Sequence, residues 1–169
     1  MSKLELIRHL YAYNEWANVH LLDVAGELDE KQLGGAQGAS FESILGNMAH
    51  LAAAQINWLE RWQGGVNKRS TVEMGESMKS LADLRDVFAG SHADLLGYVR
   101  GLAEVDVEGE LAYRDSRGAE AVRPLWQLMT HVANHGTFHR GEGAMALTAL
   151  GHSPGDLDFL YWEFARGPE

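Results

Sequence analysis

The alternation of apolar and polar positions divides the chain into four long helical stretches, separated by glycine-rich or acidic connectors. From Leu4 to Leu28 a spacing of about 100° per residue gathers Ile7, Leu10, Tyr11, Ala17, Leu21, Val24, Ala25 and Leu28 on one broad face. Glu5, Arg8, His9, Asp23 and Glu27 fall on the other, and so does Trp16, a hint of a subunit interface or of a partly covered surface residue. Asn14 projects from the middle of the apolar stripe, with Asn18 at its edge. A polar group so placed must find a partner or line a cavity. The second stretch, Phe41 to Trp62 with Ser40 as N-cap, has a heavy face of Ile44, Leu45, Met48, Leu51, Ala52, Leu59 and Trp62. Its opposite side is small: Gly46, Ala53, Ala54 and Asn57 accompany His50. The third begins at Ser77 to Ser80, where Ser80 and Asp83 form a capping box, and carries Leu81, Leu84, Phe88, Leu95, Val99 and Leu102 inward.

Between Glu104 and Arg123 the helical period fails. Leu111 to Arg114 and Ala119 to Arg123 flank Asp115-Ser116-Arg117-Gly118 and predict a short hairpin. Pro124 suits the first position of a fourth helix and Gly151 its C-terminal stop. A last short helix is expected from Asp156 to Ala165. The pattern as a whole predicts an all-α four-helix bundle forming one domain over residues 1–169, an architecture that places ligand and metal sites between facing helices.

Composition narrows the chemistry. With no cysteine in 169 residues, disulfides, thiolate ligands and a cysteine nucleophile are excluded. A formal net charge of −10 with scattered basic residues argues against nucleic acid as a partner. The absence of a signal-like or membrane-length apolar run leads us to expect a cytoplasmic protein with no membrane partner.

The candidate chemistry lies in the eight histidines. His135 and His139, four apart in the fourth helix, share one face about 40° apart. Two imidazoles so placed can converge on one ion, or be core histidines. They border the stripe of Leu125, Leu128, Val132, Ala146, Leu147 and Leu150, where desolvation favours the neutral, ligand-competent form. Their neighbours Ala133, Gly136, Thr137, Gly141 and Gly143 are small. Each helical glycine costs about 1 kcal/mol against alanine, which close packing or ligand access would compensate. His131 lies about 80° from His139 and fits a core residue or one behind the ligands. His50 is the better third ligand. His9 and His20 on the polar side of the first helix, His92 at a boundary and His152 in a loop are read as ordinary histidines.

Three segments carry a resemblance. Tyr13-Asn14-Glu15-Trp16-Ala17-Asn18, His131 to Gly141, and Leu150 to Phe159 resemble, in order and spacing, the YNxWAN, HVxNHxxxHRG and closing segments of the DinB/YfiT family of metal-binding bundles. The resemblance implies a right-handed bundle with crossover connections, frequent homodimerisation, and a divalent metal on three histidines that map to His50, His135 and His139. Zinc or nickel is the first expectation; iron, manganese and copper also suit nitrogen donors. Glu142 stands where many relatives have glutamine. It is an acceptor behind a ligand, a proton-transfer group or a solvated charge. Some relatives resemble thiol S-transferases that use bacillithiol, mycothiol or related thiols, and a chain without cysteine fits a mechanism that activates an external low-molecular-weight thiol, its small-molecule substrate. A hydrolase using metal-activated water and a non-catalytic stress-response binding protein are the alternatives.

Overall fold

The computed structural model describes residues 1–38, 40–65, 69–114 and 118–167. Helix α1 (Lys3–Ala25) opens with a Ser2–Glu5 capping box and closes at Gly26, whose amide donates to the Leu22 and Asp23 carbonyls. It therefore ends three residues earlier than the apolar stripe implied. Asp29 starts a separate turn, α2 (Glu30–Gly34), with its own capping box to Gln32. Helix α3 (Ile44–Trp62) also differs from expectation at its start. The Ser43 hydroxyl, rather than that of Ser40, accepts from the Gly46 amide. Glu42 adopts φ 63°, a left-handed conformation that stops the helix from extending back to Phe41.

A single turn, α4 (Thr71–Gly75), precedes α5 (Leu81–Gly101), which begins with the expected Ser80–Asp83 box. The short α6 (Glu104–Glu108) leads into the hairpin of β1 (Glu110–Arg114) and β2 (Glu120–Pro124), paired antiparallel with Leu111 opposite Arg123 and Tyr113 opposite Ala121. Residues 115–117 of the expected turn lie outside the described residues; Gly118 has φ 82°. Pro124 is the N-cap of α7 (Leu125–Ala149), one position before the expected one, and Gly151 takes φ 91° just beyond the helix end. Helix α8 (Phe159–Arg166) begins three residues later than expected, after the Asp158 cap.

The four long helices form the expected all-α bundle. Helix α7 packs against α1 and α3, and α5 against the same two from the other side. Successive helices α1 and α3 thus stand across a diagonal of the bundle, as do α5 and α7, so the chain crosses over twice. Two apolar clusters fill the interior. One holds Leu21, Ile44, Met48, Leu84, Phe88 and Leu147, the other Ile7, Tyr11, Leu59, Leu95, Met129 and Val132.

Between them along the helices lies a polar layer: Asn14 and Asn18 of α1, Gln55 of α3, His92 of α5 and Arg140 of α7, all buried. The Arg140 guanidinium donates to Asn14 Oδ1 at 2.6 Å, Asn18 Oδ1 at 3.0 Å and Thr137 Oγ1 at 3.1 Å, and faces the Tyr13 ring. Asn14 donates onward to Gln55 and Asn18 to His92 Nε2. Burying a cation costs several kcal/mol unless its donors are matched; here the Asn14 and Asn18 amide oxygens and the Thr137 hydroxyl match the two terminal nitrogens, while the buried Nε has no partner among the described residues. His92, expected at a boundary, is only 3% exposed because it completes this layer.

Candidate metal centre

Immediately before Arg140 the helix presents a different constellation. His135 and His139 of α7 converge with His50 of α3, and one nitrogen from each lies within 4.8 Å of the others. Their ring centroids stand 4.4 to 5.3 Å apart. Tetrahedral ligands at about 2.0–2.1 Å from zinc are about 3.4 Å from one another, so the three imidazoles would draw closer together to share an ion. His131 is not brought in: it is exposed, stacking on His135 and edge-on to Trp58.

The local structure supports neutral imidazoles. Burial, followed by repulsion from His139 and His135, lowers the pKa of His50 to about 4. Burial and the adjacent His139 and His131 bring His135 to about 4 as well. His139, 4% exposed, directs Nδ1 at Asn47 Oδ1 and Glu142 Oε2, each 2.9 Å away. In the neutral ring that arrangement places the proton on Nδ1 and makes Nε2 the nitrogen able to ligate.

Glu142 is therefore not a solvated charge. Oε2 accepts from His139, while Oε1 accepts from the Ser40 hydroxyl and amide. Burial alone would raise its carboxyl, but the Ser40 and His139 hydrogen bonds outweigh burial and hold it below the ordinary glutamate value. Both carboxylate oxygens are thus engaged in hydrogen bonds that favour the ionised form.

Sequence reasoning missed two participants. Asn47 also donates to the His139 carbonyl at 2.7 Å, tying α3 to α7. Its signal was the three-residue spacing to His50, which puts both on adjoining turns of one helix face. Phe41, read as helical, precedes α3 and stacks on His50 with centroids 3.9 Å apart. The strained Glu42 turn is what carries Phe41 and Ser40 back over the site.

The remaining histidines have ordinary partners. His9 pairs with Glu163, His152 with Glu27, and His20 with the Pro154 carbonyl. Trp16, expected on the surface, is half-buried, stacked on His20 and against Tyr13 near Trp162 and Phe159. Helix α8 covers that side of α1.

The cluster opens on a cleft of about 760 Å³ lined by His50, His135, His131, Trp58 and Tyr113 together with arginines. A second, more apolar cavity of about 420 Å³ lies beside it, sharing His50 and Thr71 and walled by Phe41, Leu45, Val72 and Met78. His50 separates the two.

The DinB family model matches the chain over residues 1–169. The chain belongs to the DinB family. It is also similar to Protein DinB of Bacillus subtilis (strain 168), with 22% identity over 166 residues covering 95% of each chain. Membership spans the whole bundle, and the three convergent histidines of this DinB-family chain are compatible with metal binding. No described helix is long and apolar enough to cross a membrane.

Proposed function

We propose that His50, His135 and His139 hold a divalent metal ion, zinc or nickel first, and that the protein is a metal-dependent S-transferase acting on an external low-molecular-weight thiol. The observation that carries this reading is the convergence of three imidazole nitrogens within 4.8 Å, two of them on the wall of a substrate-sized cleft. The donor set fits such an ion. His50 and His135 resist protonation, and the Glu142–Asn47 pair fixes the tautomer of His139.

A divalent ion on three neutral ligands keeps its charge and an open position, and so lowers the pKa of a thiol or water bound beside it. The chain's own residues do the rest. Asn47 and Glu142 hold His139 in place. Phe41 caps the outer face of His50 and excludes water there. Trp58 and Tyr113 form an aromatic wall along the cleft. In the transfer itself a thiolate sulfur forms a bond to an electrophilic carbon, the leaving group departs with the bonding pair, and the thiol proton passes to solvent. The sequence contains no cysteine to supply the sulfur, which is why the thiol is external.

The test is conjugation of a panel of small thiols to monobromobimane by the zinc- and nickel-loaded protein. Thiol-dependent turnover that disappears in His50→Ala and His139→Ala supports the proposal. Turnover of esters or amides without added thiol would replace it with hydrolysis, and a loaded protein that accelerates neither reaction would refute catalysis of both kinds.

A further inference from the structure

The cleft beside the histidines has a charge opposite to that of the chain. The sequence holds 24 acidic side chains against 14 lysines and arginines. Yet Arg61, Arg69 and Arg123 line this one cleft, and none of its described lining residues carries a carboxylate. They arrive from three separate places: the last turn of α3, the segment before α4, and strand β2. Arg69 and Arg123 are exposed, and Arg61 lies over the Trp58 ring at 4.8 Å. Arg123 spends one N–H on the adjacent Val122 carbonyl, leaving most of its donor fork for something else.

Three guanidiniums thus line one cleft with no carboxylate among its described lining residues. Their natural complement is an anion, which arginine binds through paired N–H donors. We propose that the cleft recognises a small substrate bearing carboxylate or other anionic groups, which docks on Arg61, Arg69 and Arg123. Its planar or apolar part lies along Trp58 and Tyr113, and its reacting end reaches His50 and His135. This rests on reading the cleft as the substrate side of the histidine cluster. It adds what the cluster alone does not specify, the charge of what is bound. The neighbouring apolar cavity around Phe41, Leu45 and Met78 is the wrong chemistry for that anion.

The experiment is titration calorimetry on metal-free protein, so that no probe binds through an ion. Phthalate and inorganic phosphate are compared with phthalamide, the uncharged counterpart of the dicarboxylate. The proposal expects saturable binding of an anion, no binding of the diamide, and a Kd raised at least about tenfold in the Arg69→Gln/Arg123→Gln double variant. Both positions are exposed, so the variant's thermal midpoint should match the parent's. Whichever anion binds tighter identifies carboxylate or phosphate as the preferred head group. Equal binding of phthalate and phthalamide, undiminished binding in the double variant, or no anion binding up to about 10 mM would overturn it. Because the ion is absent, these outcomes stand apart from whether the histidines hold metal or the loaded protein transfers sulfur.

Discussion

Glu142 Oε2 lies 2.9 Å from Nδ1 of His139, three residues earlier on the same helix. One helical turn thus contains both a candidate ligand and a carboxylate hydrogen-bonded to it. Carboxylates that brace ligating histidines typically contribute about 10–100-fold to metal affinity. Glu142→Ala should weaken zinc binding by that order while leaving the helix intact. Glu142→Gln, which keeps an acceptor, should weaken it less. Competition with a chromophoric chelator measures both. Equal affinities in the parent and Glu142→Ala would show that the carboxylate does not act through His139.

Two helical glycines should respond oppositely to alanine. A Cβ on Gly136 would meet Arg140 Nη1 at 2.8 Å and Asn14 Oδ1 at 2.9 Å, the partners of the buried cation. Gly136→Ala should therefore destabilise by about 1–3 kcal/mol, despite a propensity gain of about 1 kcal/mol. Gly97 of α5 meets nothing within 4 Å, so Gly97→Ala should stabilise by about 0.5–1 kcal/mol. Urea unfolding of the two variants decides both signs.

The His92 imidazole gives the fold an acid-sensitive element. Burial first, and then the Arg140 charge, lower its pKa to about 4, against 6.5 for a free histidine. Between these values the unfolded chain binds a proton that the folded chain refuses. Stability is thus fully present above about pH 6.5 and falls as pH drops toward 4. The contribution is on the order of 3 kcal/mol. His50 and His135 act in the same direction in metal-free protein. His92→Gln retains an acceptor for Asn18 and should flatten this part of the pH–stability curve, as measured by denaturation at matched pH. An unchanged slope would remove His92 from the acid response.

The helices were legible because their apolar period and capping signals are local. Ser80 with Asp83, Pro124 and Gly151 marked three helix ends to within a residue or so. The His135–His139 pair was legible for the same reason, since four-residue spacing fixes a shared face. What failed depended on tertiary contacts. Ser40 and Phe41 have plausible helix-start chemistry, yet their positions are set by Glu142 and His50 across the site. Nothing near His92 in sequence announces Asn18 or Arg140, and Trp16 sits beneath a helix more than a hundred residues away in the chain. The small residues around the histidines were read as one group, but they differ. Gly136 and Gly143 accommodate Arg140 and Leu21, whereas Gly141 faces open space.

The most direct test of the central claim is metal content by mass spectrometry on tag-free protein, after reconstitution with zinc or nickel and removal of unbound ion. It should be paired with His50→Ala, His135→Ala and His139→Ala variants checked for folding. The account predicts about one ion per chain in the parent, lost from each folded variant. A parent that retains no metal, or variants that keep it in full, would contradict a metal centre at His50, His135 and His139.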